Sequence, residues 1–236
     1  MEATSLARAD ELRTAILRAV SHDLRSPLSS IKASVSSLRQ TDVEWPEETK
    51  QDFLHSIESE TDRLTRIVAN LLDLSRIESG VLRPVLRPIS LEEVIPAVVY
   101  EIGPEHSDIH LEIDSELEEV VADPALLERA IANILGNALS WSLSPDSVAI
   151  FAHQKDDTAH IHIVDRGPGI PVDQQLSVLQ PFHRLGDSSV GGGLGLGLAI
   201  ADRLIASMNG RLELRDTPGG GLTAVVTLPC SKKEES

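Results

Sequence analysis

Ser21-His22-Asp23-Leu24-Arg25-Ser26-Pro27-Leu28 sets a histidine, a carboxylate and a hydroxyl within five residues of one another, with a proline just past the hydroxyl. Outward from this stretch, Leu17, Val20, Leu24, Leu28, Ile31, Val35 and Leu38 recur at steps of three and four. That is the period of a helix burying one stripe in a bundle, and it predicts a helix from about Ser5 to Gln40. His22 falls between Val20 and Leu24, off the stripe, where a core histidine would not sit. Thr41 to Pro46 reads as a turn, with Pro46 near the first turn of the next helix. From Glu47 to Glu78 a second seam runs through Phe53, Ile57, Leu64, Ile67, Leu71 and Leu74, widened by Leu54, Val68, Leu72 and Ile77. Two helices of roughly 50 Å each would make an antiparallel hairpin. One hairpin cannot bury both seams, so two copies are expected to pair into a four-helix bundle, a homodimer.

Composition bounds the rest. The 236 residues are 41% hydrophobic and 25% charged, which suits folded domains, and with 3% aromatics the packing falls to Leu, Ile, Val and Ala. A net charge of -16 argues against nucleic acid or an anionic membrane as the main partner, while leaving local anion sites open. The single Cys230 excludes an internal disulfide and suits a reducing cytoplasm. No apolar run approaches the ~18 residues of a membrane span, and no signal-peptide pattern follows Met1. The expectation is a cytoplasmic piece whose membrane contact, if its parent has one, comes through upstream segments.

Ser79-Gly80 ends the second helix, and Arg83-Pro84 through Arg87-Pro88 reads as an extended connection. The domain boundary is placed near Leu82, giving an all-α region over 1–82 and an α/β region over 83–236. Ser90 is a candidate N-cap with Glu93 at capping-box spacing, for a helix to about Ile102. Ile109 to Ile113 and Glu119 to Ala122 read as short strands, and Asp123-Pro124 opens a helix to about Trp141. Val148 to His153 and His160 to Val164 read as strands about a turn at Asp156-Asp157. A helix from about Leu196 to Met208 and strands Arg211 to Arg215 and Thr223 to Leu228 complete a mixed sheet with helices on one face.

Three constellations in this second region bear on chemistry. Gly191-Gly192-Gly193-Leu194-Gly195-Leu196-Gly197-Leu198 precedes a helix, where backbone N–H groups could approach phosphate oxygens. It contains neither the dinucleotide fingerprint nor a Walker loop, and a flexible linker would look similar. Asp165-Arg166-Gly167-Pro168-Gly169-Ile170 ends a strand; its carboxylate could accept from an adenine amino group, or simply form an Asp-x-Gly turn. Asn133 and Asn137 lie four apart on an otherwise apolar helix, as a polar cleft or a Mg²⁺ ligand would need, or as caps of neighbouring loops. His160 and His162 share a strand face and His106 and His110 flank a turn, but no Cys or carboxylate cluster completes a zinc pattern.

Taken together, these motifs resemble the ordered boxes of the sensor histidine kinases, from about Leu12 to Pro229. His22 to Leu28 resembles the H box, Asn133 to Ala138 the N box and Asp165 to Ile170 the G1 box. Pro181-Phe182-His183-Arg184 resembles the F box, Gly193 to Leu198 the G2 box and Gly219 to Gly221 the last glycine box. Leu12 to Ala15, Ser21 to Asp23 and Lys32 to Leu38 look most like the potassium-responsive Kdp-type sensor kinases. The resemblance implies a dimerisation and histidine phosphotransfer domain followed by a Bergerat-type ATP-binding domain, the fold shared with gyrase, Hsp90 and MutL. It implies ATP and Mg²⁺ as cofactors, autophosphorylation of His22, and transfer to an aspartate of a response regulator. Asp23 would hydrogen-bond the His22 ring, Pro27 would bend the helix beside it, and Ser26 would hold a water for phosphatase action. Asn137 would ligate Mg²⁺ through its amide oxygen with Asn133 beside it, and Asp165, Gly167 and Gly169 would form the adenine pocket. Gly193, Gly195, Leu196 and Gly197 would cradle phosphates, Gln175 to Gly192 would be a mobile lid, and Arg184 would reach phosphates or the phosphoacceptor helix. Two departures stand out: Ser140 where the family usually has a basic residue, and Leu179 where an aromatic is common. They keep a second reading open, a dimeric signalling scaffold that binds nucleotide but phosphorylates poorly.

Overall fold

The computed structural model describes residues 20–21, 23–103, 109–142, 144, 147–183 and 194–231. Its contacts divide the chain into two compact units, one running to Ser75 and one beginning at Arg76.

The first unit is helical. α1 (residues 23–38) continues through Pro27 without interruption, and α2 covers Glu47–Glu78. Their junction is fastened by Trp45, whose indole N–H donates to the Ser37 carbonyl at 2.9 Å while its ring meets Phe53 edge-on at 5.3 Å. That contact draws the end of α1 to the start of α2, as a hairpin requires. Pro46 sits just ahead of α2, its carbonyl accepting from Lys50. Glu47 and Glu48 at the start and Arg76 at the end complement the helix dipole. Ile67 and Leu74, both on the expected seam, are buried. On α1 the seam is only partly covered: Leu28 is 55% exposed and Val35 39%, while Asp23, Pro27 and Ser34 are buried. Leu54, Val68 and Leu72 on α2 are also exposed. The physical reason is width, since one hairpin shields one flank of a stripe this broad.

The second unit contains β1 (Arg87–Ile89), α3 (Leu91–Ile102), β2 (His110–Ile113), β3 (Val120–Ala122) and α4 (Pro124–Trp141). It continues with β4 (Ala149–Lys155), β5 (Thr158–Val164), α5 (Val172–Gln175), α6 (Gly197–Ser207), β6 (Arg211–Asp216) and β7 (Leu222–Pro229). The sheet order is β2-β4-β5-β7-β6, antiparallel except for the parallel β2–β4 pair, so the sheet is mixed as expected. Alternate residues of its strands, among them Ile150, Ile161, Ile163, Val226 and Leu228, are buried on one face. Leu127, Ile131 and Ile134 of α4 and Ile200 and Leu204 of α6 complete that core.

Local signals place the helices. Asp123 caps α4 by accepting from the Leu126 amide at 3.3 Å, and its other oxygen takes the Val85 amide at 2.8 Å. Ser90 caps α3 through the Glu92 amide at 3.2 Å; the Glu93 amide turns to the Ser90 carbonyl instead of to the capping-box hydroxyl. Two elements differ from expectation. The connection after α2 ends in a strand, β1, paired antiparallel with β3, and α5 adds one helical turn after the G1-like loop. Among the described residues no helix is long and apolar enough to cross a membrane.

Candidate functional site

One end of the site is built where the β5–β7 ladder stops. The last paired residues are Val164 and Thr223, and Asp165 then takes over the bonding. Its amide donates to the Leu222 carbonyl, and its Oδ1 accepts from the amides of both Gly167 and Leu222, all at 2.9 Å. The carboxylate is only 3% exposed. The Asp-x-Gly turn is therefore present, and Oδ1 of this buried residue is committed to backbone.

The glycines around it answer to backbone contact. A Cβ on Gly167 would lie 2.6 Å from the carbonyl oxygen of Trp141, the last residue of α4. Gly169 adopts φ +71° and a Cβ there would meet the Gly221 carbonyl at 2.9 Å. Gly221, at φ +111°, has its missing Cβ on top of the Asp165 carbonyl. The last glycine box thus lies directly over the G1-like turn, and Arg166 reinforces the contact by donating to the Pro218 carbonyl at 2.6 Å.

The other end lies eight residues back along α4, about 12 Å away at the helical rise. There Asn133 faces Gly197, whose Cβ would lie 3.6 Å from the Asn133 carbonyl and 3.7 Å from its Oδ1. The Asn133 Nδ2 is buried without a hydrogen-bond partner among the described residues. Such an orphan costs about 1–3 kcal/mol unless a ligand meets it. Asn137 follows one turn later, half-buried. α6 starts at Gly197 behind Leu196, which supplies no side-chain cap, so among the described residues its first N–H groups have no side-chain acceptor. Gly195 takes φ +65°, and its carbonyl accepts from the Phe182 amide at 3.1 Å, joining the F-box-like segment to the glycine run. This end has the donor set of a phosphate site: backbone amides at a helix start beside an unsatisfied amide side chain.

Ser140 contributes nothing to that set. Its hydroxyl donates to the Gly136 carbonyl at 2.7 Å, folded back onto its own helix. In the helical unit Asp23 is 7% exposed and Ser26 is exposed. His22, Arg184, Gly193 and the lid segment from 184 to 192 lie outside the described residues. Sequence reasoning missed the reach of Leu222, whose amide and carbonyl both bind Asp165. The signal was the glycine triplet just before it, which marks where two backbones cross.

Residues 12–80 match the His Kinase A (phospho-acceptor) domain, and residues 122–232 match the histidine kinase-, DNA gyrase B- and HSP90-like ATPase family. The chain is 41% identical over 234 residues to the sensor protein KdpD of Mycobacterium tuberculosis, covering 96% of this chain and 27% of that protein. It therefore spans about a quarter of that relative's length. Among solved structures, the mycobacterial sensor histidine kinase MprB aligns with a TM-score of 0.54 at 30% identity, over 63% of this chain and 100% of that one. Full-length ShkA, solved in complex with AMPPNP, aligns with a TM-score of 0.63 at 23% identity over 95% of this chain and 47% of that one, a likeness of fold. The chain belongs to the sensor histidine kinases, a phospho-acceptor helical region joined to an ATPase domain of Bergerat type, and within them it is similar to the Kdp-type sensors.

Proposed function

We propose that this chain is the catalytic core of a homodimeric two-component sensor kinase, working in the cytoplasm, with phosphotransfer functions in 1–82 and nucleotide functions in 83–236. The observation that carries the reading is the pair of polar positions along α4, with Asp165 anchored at one end and the orphaned Asn133 amide beside the uncapped start of α6 at the other. Adenine donates its amino hydrogen to Asp165, through Oδ2 because Oδ1 is already doubly bonded. Gly167 and Gly169 shape the base pocket by letting its backbone close onto Trp141 and Gly221, and Asn133, Gly193, Gly195, Leu196 and Gly197 hold the phosphates. Asn137 offers its amide oxygen to Mg²⁺, a hard cation that prefers such donors. His22 then takes the γ-phosphoryl on a ring nitrogen as the bond from the γ-phosphorus to the bridging oxygen breaks and ADP leaves, with Asp23 orienting the imidazole and Arg184 offsetting charge. A response-regulator aspartate takes the group from His22, and Ser26 supports the opposing phosphatase step by holding the water that hydrolyses the aspartyl phosphate to free aspartate and inorganic phosphate. An amide at position 133 is a poor general base, which protects the nucleotide from direct attack by water.

Dimerisation follows from the exposed residues Leu28, Val35, Leu54, Val68 and Leu72, the flank that a second hairpin would cover. Sedimentation of the protein should give a dimer, and Leu28→Glu with Leu72→Glu a monomer. Incubation with labelled ATP tests the chemistry: the wild type acquires label and His22→Gln does not. Label on the variant, or none on a wild type that binds ATP, overturns the kinase reading. One observation favours the scaffold alternative, namely that Ser140 presents no cation and turns its hydroxyl inward. A protein that binds ATP without labelling His22 would fit that alternative.

A further inference from the structure

The face of the sheet opposite the helices carries a cluster that the nucleotide site does not use. The register sets His153 directly across from His160, and His162 follows on the same face of β5. The rings of His153 and His160 stack at 5.5 Å and 9°, those of His153 and His162 at 5.0 Å and 22°, and those of His160 and His162 stand 6.5 Å apart. The Nε2 of His162 is buried with no hydrogen-bond partner among the described residues. His160 is held by hydroxyls, Thr158 Oγ1 at 3.1 Å from Nε2 and Thr227 Oγ1 at 3.5 Å from Nδ1. Among the described residues no three His, Cys, Asp or Glu side chains are disposed to hold a metal ion, and these rings lie flat on one another instead of converging. Parallel contact of this kind suits neutral imidazoles and is opposed by protonation.

We propose that His153, His160 and His162 form a proton-responsive element whose protonation loosens the β4–β5 hairpin and, through β5, the Asp165 turn. β5 ends at Val164 and Asp165 is the next residue, so strain in the strand arrives at the candidate base pocket without an intervening loop. The coupling to nucleotide rests on the reading of Asp165 above; the effect on the hairpin does not.

The surroundings give the cluster its sign. Lys155 lies on the same face of β4, and β7 contributes only Val225 and Thr227 opposite the two rings of β5. From β6, Arg211 and Arg215 both pair with Glu213, at 3.1 and 2.7 Å, which spends the nearest carboxylate on arginines. On β2, Glu112 stands 3.8 Å from His110, beyond β4. Burial holds the pKa of both His160 and His162 down, and the charge of His153 adds to it; Lys155 acts further on His160, and Arg215 on both, with Glu213 opposing weakly at His160. The unfolded chain takes up protons near the ordinary value of about 6.5. The folded chain resists, so stability is full above that pH and falls as the pH drops through it.

The test uses the full chain with labelled histidine rings. In an NMR titration, His160 and His162 should titrate below the ordinary value, and His153→Gln, which removes the like charge, should move both upward. Titration at or above about 6.5, or no movement in the variant, overturns the proposal. In denaturant unfolding at about pH 7.5 and about pH 5.5, within the window where imidazoles change charge, the wild type should lose more stability than the His160→Gln, His162→Gln double variant. Equal losses overturn it. Between the same conditions, nucleotide affinity should fall several-fold more in the wild type than in the double variant, and equal falls overturn the coupling to Asp165. If no nucleotide binds at the higher pH, it is the proposed function that fails, while the ring titration and unfolding still decide the cluster.

Discussion

The two ends of the candidate site along α4 are built on opposite principles. At the Asp165 end every approach is already made: Oδ1 holds two amides, and Gly167, Gly169 and Gly221 each stand where a methyl group would strike backbone. At the Asn133 end the contacts are ordinary and the polar groups are left over, with a buried amide lacking a partner and a helix lacking a cap. One end is finished by folding; the other keeps polar groups unsatisfied among the described residues. A ligand would demand little reorganisation of the preorganised end and would relieve the polar deficit of the other.

Substitutions can break this contrast. The largest effect is expected for Gly221→Ala, which combines a positive φ with a collision against the Asp165 carbonyl. It should cost at least ~3 kcal/mol of domain stability in denaturant unfolding. A small cost would mean that the closed end has slack. Asp165→Asn sharpens the picture, because an amide oxygen can keep both backbone bonds while its NH₂ faces the adenine amino group. Stability should drop by only about 1 kcal/mol while nucleotide affinity falls ~100-fold, read by calorimetric titration. Asn133→Ala is expected to separate the ends from the other side, leaving stability within ~1 kcal/mol and weakening nucleotide binding ~10-fold. If it unfolds the domain instead, the amide has a structural duty and the open end is not open. The smallest effect belongs to Ser140→Lys, which should tighten nucleotide binding by roughly 2–5-fold, as one partly exposed cation does near phosphates, and lose that gain at high salt.

Much of the fold was legible because its signals are local. Asp123-Pro124 names a helix start whatever lies elsewhere, and Asp156-Asp157 between alternating runs names a hairpin; Asp156 indeed takes φ +54° in that turn. β1 was not legible, since three residues containing Pro88 become a strand only because Val120 to Ala122 arrive from 30 residues away. The site was legible as residue types and not as contacts. Gly220 and Gly221 look alike in sequence, yet a Cβ on the first meets nothing within 4 Å and on the second meets Asp165. The histidine cluster lay between these cases. Alternation along β5 alone places His160 and His162 on one face, whereas His153 joins them only through the hairpin register. The turn contained the answer, because pairing Lys155 with Thr158 brings His153 opposite His160 two steps further out.

Trp45, which clasps Ser37 and Phe53 at the hairpin junction, has one counterpart in the chain, Trp141 at the end of α4. One indole therefore belongs to each unit, and each sits at the point where its unit is most informative. A Trp45→Phe protein emits only from the neighbourhood of the Gly167 turn, and a Trp141→Phe protein only from the junction of α1 and α2. The chain carries its own pair of fluorophores, and the melting of its two halves can be followed separately without adding a label.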